Sequence, residues 1–130
     1  MNYLTVLGAA VAGWVWGAAY YGVLGKPWMR AQGINPEDCK GKKMPLVPMA
    51  LAFLSALILA FAMACLLIDF EIGTIAEGLE VAVAAGIAFI VTTTTVNNAF
   101  QGKKPMLTLI DSAHWIGLLM VEVVVLMLFP

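Results

Sequence analysis

The side chains best suited to chemistry are concentrated in one part of this chain, between residues 92 and 115. Four consecutive threonines begin the stretch, two asparagines follow, and Asp111 and His114 come near its end. His114 is the only histidine in the chain. A carboxylate one helical turn from an imidazole suits proton transfer, because histidine takes up and releases protons near neutral pH. The pattern indicates a polar cluster that either handles protons or ions, or braces the fold with hydrogen bonds.

The residues that belong to this cluster can be predicted if the two apolar segments on either side of Gly102 pack as a hairpin. Residues at equal distances from the turn then lie at similar depth, to within about one helical turn. The predicted cluster comprises Thr92, Thr95, Asn97, Asn98, Asp111 and His114. As a brace, each polar contact inside a membrane contributes about 0.6 kcal/mol. As a site, the cluster would bind or pass a proton or an ion, and the sequence leaves both interpretations open.

A second polar pair is expected further from the turn of the same hairpin, where Glu122 comes level with Glu80. Two carboxylates close together would share a proton, because adjacent negative charges repel each other. The alternative is that Glu80, together with Glu77 before it, reaches the membrane interface and that no pair forms.

Other chemistry finds little support in the sequence. One histidine and one aspartate are fewer than the three or four ligands of a typical metal site, and Cys39 and Cys65 are not spaced as metal ligands. A haem site is unsupported as well. No Ser–His–Asp order, HExxH sequence or glycine-rich phosphate loop is present. We therefore expect no metal, no cofactor and no enzymatic activity.

The elements that hold these side chains are apolar segments long enough to cross a membrane. Hydrophobic residues make up 62% of the chain and charged residues 12%, against about 25% charged in soluble domains. Four apolar blocks cover residues 3–24, 46–68, 75–100 and 106–129, and each reaches the roughly 20 residues that a spanning helix needs. The first block lacks the basic residues that open a secretory signal. We expect a single domain, residues 1–130, of the all-α membrane class, with four transmembrane helices in an antiparallel bundle.

The basic residues predict the orientation of this bundle. All seven lie between the first and second spans or between the third and fourth. By the positive-inside rule, the loops 25–45 and 101–105 are cytoplasmic and both termini lie outside, which for a bacterial inner membrane is the periplasm. The net charge of −1 and the lack of one basic patch argue against a nucleic-acid partner.

The first loop carries most of the interfacial side chains. One short helix is predicted from Pro27, with Trp28 at headgroup depth and Arg30 toward phosphate. A second is predicted from Asn35 and Pro36, since an Asn cap followed by proline is a typical helix start. Three lysines would then contact anionic lipid, each contributing about 1 kcal/mol: Lys40, Lys42 and Lys43. The alternative is a loop that only anchors the topology.

Small residues at four-residue spacing predict helix–helix contacts. They lie in the first span at Ala9, Gly13 and Gly17, and in the second at Ala52, Ala56, Ala60 and Ala64. The GxxxG pair of the first span would serve either packing within the bundle or dimerisation. Because the loop after the second span is short, spans two and three are predicted to be antiparallel neighbours.

The third span combines small and polar residues on one face, which we expect to point into the bundle. Three- and four-residue spacing places these side chains together: Glu77, Glu80, Ala84, Ala88, Thr92 and Thr95. The opposite, lipid-facing side is then expected to carry Ile87, Phe89 and Ile90.

Three segments carry a wider similarity: the opening Asn2-Tyr3-Leu4, the segment Gly25-Lys26-Pro27-Trp28-Met29, and the hairpin from Asn97 to His114. Together they resemble a bacterial family of small four-span integral membrane proteins that is known only as a domain of unknown function. The resemblance covers nearly the whole chain. It implies the four-span architecture and an inner-membrane location, and it implies no particular activity.

The sequence as a whole favours a non-enzymatic membrane protein that works as a homo-oligomer or as an accessory subunit of a larger membrane complex. Its expected partners are the lipid bilayer and either further copies of itself or other membrane proteins. The alternative is a small proton- or ion-coupled transporter or channel that uses Asp111, His114 and the pair Glu80 and Glu122.

Overall fold

The computed structural model describes residues 1–130 and is built from helices. Four of them are long and apolar enough to cross a membrane: α1 (Tyr3–Gln32), α2 (Leu46–Asp69), α3 (Ile75–Phe100) and α4 (Pro105–Leu128). One short 3₁₀ helix, Pro36–Cys39, lies between α1 and α2. The expected all-α membrane fold with four spans is confirmed. We call the end formed by residues 33–45 and 101–104 the basic end, and the end that carries the loop 70–74 the acidic end.

The first helix is longer than the apolar block from which it was predicted. Asn2 caps its start, where Oδ1 accepts hydrogen bonds from the backbone N–H groups of Leu4 at 3.1 Å and Thr5 at 3.3 Å. The helix passes through Pro27 and ends at Gly33, whose φ of 80° suits a residue without a Cβ. Residues 27–30 are therefore part of α1 and do not form a separate interfacial helix.

The extension of α1 is explained by its packing against α4. Ala31 is buried with Leu107 and Ile110 in a small cluster at the basic end, and Trp28 packs beside them. These contacts hold the last turns in helical form although Pro27 lacks a backbone donor. The second short helix forms where it was predicted, with Oδ1 of Asn35 accepting from the Glu37 N–H at 3.1 Å.

The fourth helix is the centre of the bundle, because it packs against each of the other three and shares its largest interface with α1. Helix α3 packs on α4 and approaches α2 mainly near their connecting loop, where Leu67 lies opposite Gly78. Further along, the two helices leave a groove of about 300 Å³ in which Ile58 and Ile90 line opposite sides and Trp115 contributes from α4. Spans two and three were predicted to be antiparallel neighbours. They run antiparallel across their short loop, but each packs primarily on another helix, so they are not close neighbours.

Small residues mark the places where the helices meet. Alanines without exposed surface lie at these contacts: Ala9, Ala10, Ala56, Ala60 and Ala82. Gly13 and Gly17 face α4, so the GxxxG pair serves packing inside the bundle, the first of its two predicted roles. In the stripe of α2, Ala64 is also buried and Ala52 is half-buried. Small side chains allow close approach of the backbones, which is how helices gain contacts in lipid.

The inward face of α3 differs from the predicted one. Gly78, Ala82 and Gly86 are buried, and a Cβ at either glycine would come within 2.8 Å of an α4 side chain. These three residues let α3 approach α4 closely. The face predicted to point inward is exposed along its length: Glu77, Glu80, Ala84, Ala88, Thr92 and Thr95. Of the residues expected toward lipid, Ile87 and Phe89 are exposed, whereas Ile90 packs against the core.

A π-helical segment, Gly86–Val91, interrupts α3 between two α-helical parts, Ile75–Ala85 and Thr92–Phe100. Such a segment inserts an extra residue into the helical repeat and rotates the faces that follow it. The spacing rule that joined Ala84 to Thr92 assumes a regular α-helix, so it does not hold across this part of α3.

Candidate functional site

The carboxylate of Asp111 is held by two aromatic side chains of α1. Its Oδ1 accepts a hydrogen bond from the Tyr21 hydroxyl at 2.7 Å and another from Nε1 of Trp28 at 3.0 Å. Tyr21 and Trp28 are seven residues apart, so both lie on the face of α1 that meets α4. Beside them the Tyr20 hydroxyl donates to the Ile110 carbonyl at 2.6 Å. Hydrogen bonds to a carboxylate are among the stronger ones, so this contact secures α1 against α4.

The imidazole of His114 lies one turn further along α4 and is only 7% exposed. Aromatic rings surround it, with ring centres at 4.8 Å for Tyr21, 5.6 Å for Tyr20 and 4.7 Å for Trp115. Its Nδ1 atom is buried without a hydrogen-bond partner. The other ring nitrogen faces α1 at Gly17, where a Cβ would come within 2.9 Å of Nε2. His114 is thus a polar group in an aromatic setting with unused hydrogen-bonding capacity.

The carboxyl group of Glu122 lies two turns beyond His114, on the same side of α4. The residue has no exposed surface, and neither carboxyl oxygen has a hydrogen-bond partner. It faces α1 at Gly13, where a Cβ would come within 2.9 Å of Oε1. Eight residues of helix separate His114 from Glu122, a rise of about 12 Å, with buried Leu118 between them. The two ionisable side chains therefore lie in one seam, each opposite a glycine of α1.

A cleft of about 590 Å³ opens beside this seam, between α1, α2 and α4. His114 lines it together with Ser55 and three large aromatic residues, Trp14, Tyr21 and Trp115. Trp14 is fixed by a hydrogen bond from Nε1 to the Met49 carbonyl at 3.3 Å. The cleft is the only one of the larger cavities that includes a buried ionisable side chain in its lining.

The structure divides the predicted polar cluster between two surfaces. Asp111 and His114 face α1, whereas Thr92, Thr95 and Asn97 are exposed on α3. The Thr92 and Thr95 hydroxyls donate to backbone carbonyls of their own helix, at 2.7 Å and 2.6 Å. Threonine hydroxyls readily satisfy themselves in this way, so they need no partner on α4. The expectation that the threonines surround Asp111 and His114 is therefore not met.

One residue of the predicted cluster does connect the hairpin. Asn98 donates from Nδ2 to the Thr108 hydroxyl oxygen at 3.0 Å and so joins α3 to α4 near the basic end. This hydrogen bond braces the α3–α4 hairpin, in the way that the brace interpretation predicted for the whole polar cluster. His114 takes no part in it.

The predicted carboxylate pair does not form. Glu80 is exposed on α3, while Glu122 is buried against α1, so the two side chains lie on different sides of the bundle. Glu77 has a capping role at the start of α3: its N–H donates to the Thr74 hydroxyl at 3.2 Å, and its carboxylate accepts from the Thr74 N–H at 3.0 Å. The alternative, in which these two glutamates stay near the interface, fits this geometry.

The predicted interfacial residues lie near the basic end, and Trp28 is the one among them that packs against α4, where it is half-buried. Arg30, Lys40, Lys42 and Lys43 are exposed. The Lys40 ammonium pairs with the Glu37 carboxylate at 3.0 Å on the open surface. No group of three or more His, Cys, Asp and Glu side chains lies close enough to hold a metal ion.

The aromatic residues of α1 are the part of the site that sequence reasoning did not identify. Trp28 was expected only at headgroup depth, and no part in the site was predicted for Tyr20, Tyr21 or Trp16. Trp16 instead donates from Nε1 to the His114 carbonyl at 3.1 Å. A usable signal was present, because an aspartate inside a span needs donors and only α1 offers several aromatic donors at helical spacing.

Comparison with known proteins agrees with this architecture. The sequence model of a family described as "Protein of unknown function (DUF1761)" matches residues 4–127. No curated protein and no solved structure matches the chain. The match covers nearly all of the four-helix bundle, including every residue of the seam between α1 and α4. The chain therefore belongs to the DUF1761 family, as its similarity in the opening segment, the first loop and the hairpin implied.

Proposed function

We propose that this multi-pass membrane protein is not an enzyme and that it moves protons, alone or together with a solute, along the seam between α1 and α4. The observation that carries the proposal is the burial of His114 and Glu122 in one seam without hydrogen-bond partners. Ionisable groups inside a membrane are costly and are typically kept where they act on a proton, an ion or a substrate.

The seam offers a sequence of proton-binding groups at increasing distance from the basic end. Asp111 is half-buried and lies closest to the basic end. His114 follows one turn further along α4, and Glu122 lies closest to the acidic end; both are buried. The rise of about 12 Å between His114 and Glu122 is too long for direct proton transfer, so a proton could pass only through intervening water or after a shift of α1. Gly13 and Gly17 place no α1 side chain between the helix backbone and the two ionisable groups, so a shift of α1 would directly change the surroundings of both groups.

The proposal is tested by measuring proton flux into liposomes that contain the purified full chain and a pH-sensitive dye. A potassium diffusion potential set by valinomycin drives the flux. The wild type is expected to acidify the lumen faster than empty liposomes, and Glu122→Gln to lower the rate about tenfold or more. Glu80→Gln is the matched control, since it makes the same change on an exposed side chain.

Two results would contradict the proposal. One is a wild-type flux no greater than that of empty liposomes at several protein densities. The other is a Glu122→Gln variant that conducts like the wild type. Thermal melting of both variants separates loss of conduction from loss of folding, because a glutamine has nearly the same shape as the glutamate it replaces.

A second candidate function, assembly as a homo-oligomer, is supported by the exposed face of α3. Within a membrane-spanning helix, this face presents a carboxylate, small residues and hydroxyls to the outside: Glu80, Ala84, Ala88, Thr92 and Thr95. Small and polar residues favour helix association in lipid. A second copy can offer the same small residues in return, so two α3 helices could approach closely across a two-fold axis. A bundle of four helices would also gain a wider pathway by assembling.

Native mass spectrometry in mild detergent tests this assembly. Ala88→Phe should break the oligomer, while Ala62→Phe, which adds the same side chain to an exposed position on α2, should leave it intact. Co-purification of other membrane proteins in stoichiometric amounts would favour the role of an accessory subunit. A monomer in the wild type would exclude the homo-oligomer.

We also propose a bacterial inner-membrane location with both termini outside. The support is the placement of Lys26, Arg30, Lys40, Lys42, Lys43, Lys103 and Lys104 at one end of the bundle. Basic loops stay on the cytoplasmic side during insertion, so the basic end would be cytoplasmic.

A further inference from the structure

We infer that the cleft between α1, α2 and α4 binds a neutral, lipid-soluble ring compound that carries a carbonyl or hydroxyl group. This is the chemistry of an isoprenoid quinone head group. The inference goes beyond proton movement, because binding at the cleft does not depend on conduction through the seam.

The shape and walls of the cleft suit a flat ring. Its volume of about 590 Å³ lies within the usual range of small-molecule sites. Trp14, Tyr21 and Trp115 line it, and aromatic faces and edges pack favourably against another π-system. Gly13 and Gly17 also form part of the lining, so at these two positions of α1 no side chain projects into the cleft.

The polar groups of the cleft select the charge of the ligand. No lysine, arginine, aspartate or glutamate lines the cleft, so a carboxylate, phosphate or ammonium group would lose its hydration without gaining a partner. The side-chain groups without a hydrogen-bond partner are the Ser55 hydroxyl, the His114 imidazole and the indole N–H of Trp115. His114 is 93% buried, since 7% is exposed. Its Nδ1 is enclosed without a partner, whereas Nε2 faces Gly17 in the wall of the cleft and is the ring nitrogen placed to meet a ligand. An imidazole and a hydroxyl can each exchange a hydrogen bond with a neutral carbonyl or hydroxyl.

The entrance of the cleft indicates that the ligand comes from the bilayer. Ala18, Gly22 and Leu51 line the cleft and are exposed. These residues belong to the spanning helices α1 and α2, so the opening between them faces the surroundings of the bundle at the side. A compound dissolved in the hydrocarbon can enter there without crossing water.

The test measures binding of decylubiquinone to the full chain in nanodiscs, by saturation of the thermal shift and of tryptophan quenching. Decylbenzene, which has a ring and the same tail but no carbonyl, is the matched probe. We expect saturable stabilisation by decylubiquinone and at least about tenfold weaker binding of decylbenzene, because it lacks the hydrogen bonds. His114→Phe should weaken decylubiquinone binding by a similar factor.

A second pair of variants keeps the test decisive if His114→Phe fails to fold. Ala18→Trp places a large side chain at the entrance and should abolish saturable binding. Ala19→Trp adds the same side chain to the adjacent exposed position, which does not line the cleft, and should bind like the wild type.

Three results would overturn the inference. The first is the absence of saturable decylubiquinone binding to the wild type. The second is equal binding by Ala18→Trp and Ala19→Trp, which would place the probe elsewhere. The third is tighter binding of decylbenzene, or of the carboxylate lipid oleate, than of decylubiquinone. Either result would exclude a neutral ring with a hydrogen-bonding group as the preferred ligand.

Discussion

The hydroxyl of Tyr21 donates a hydrogen bond of 2.7 Å to Oδ1 of Asp111, a residue 90 positions further along the chain. This contact joins the first and last helices of the bundle. The same tyrosine ring lies against His114, so it connects the best-satisfied carboxylate of the site with the imidazole whose Nδ1 has no partner. Changes at this tyrosine should therefore alter both the stability of the bundle and the setting of the histidine.

We expect Tyr21→Phe to lower the free energy of unfolding by about 1 to 2 kcal/mol, because Asp111 loses a hydrogen bond in a part of the molecule with little water. Titration with SDS, followed by circular dichroism, measures this loss. Tyr3→Phe, which removes a hydroxyl from a residue that is 71% exposed, is the control and should change little.

A double-mutant cycle identifies the partner. Combined with Asp111→Ala, the Tyr21→Phe change should have a smaller effect than it has alone, since the hydrogen bond is already absent. Fully additive effects of the two changes would show that the hydroxyl does not act through the carboxylate.

The glycines of α1 give a second prediction. Gly13→Leu should destabilise the bundle by about 1 to 3 kcal/mol, because the added side chain must displace Glu122 and Leu118. Gly8→Leu makes the same substitution where a Cβ would meet nothing within 4 Å, and it should be tolerated. Thermal melting in detergent compares the two. Equal tolerance would mean that α1 does not pack on α4 through this face.

Two adjacent asparagines provide the third prediction. Asn98→Ala should lower the free energy of unfolding by about 0.6 kcal/mol, and by no more than about 1.7, because it removes the hydrogen bond to Thr108. Asn97→Ala alters an exposed neighbour that is outside the α3–α4 contact, so its effect should be near zero. The same SDS titration resolves the pair. A larger loss at Asn97 would contradict the placement of the two side chains.

The fourth prediction concerns orientation. In a Cys65→Ser background, Cys39 should react with a membrane-impermeant maleimide in inverted vesicles and remain unlabelled in intact spheroplasts. Cys39 lies at the basic end and is partly accessible. A variant without either native cysteine and with Asp69→Cys, at an exposed position on the acidic end, should show the opposite pattern. Labelling of Cys39 in spheroplasts would reverse the proposed orientation.

Much of the candidate site was predictable as a list of residues but not as an arrangement. Asp111 and His114 were identified because ionisable residues inside an apolar helix are rare and almost always face the interior of the bundle. Their assignment to a cluster with Thr92 and Thr95 was wrong, because each threonine bonds to its own backbone and α4 turns its polar side to α1. Depth along a hairpin can be counted from the turn, whereas direction around a helix cannot.

The sequence by itself determined the four spans and the helical class. These depend on local properties, since a backbone in hydrocarbon must satisfy its own hydrogen bonds over about 20 apolar residues. Only the tertiary structure decided that α4 is the central helix, that α3 turns Gly78, Ala82 and Gly86 inward, and that Glu122 faces Gly13 rather than Glu80. The physical reason is that lipid and protein interior are equally apolar, so hydrophobicity does not select the buried face of a membrane helix. Close fit between backbones selects it, and that fit exists only once the partner helix is in place.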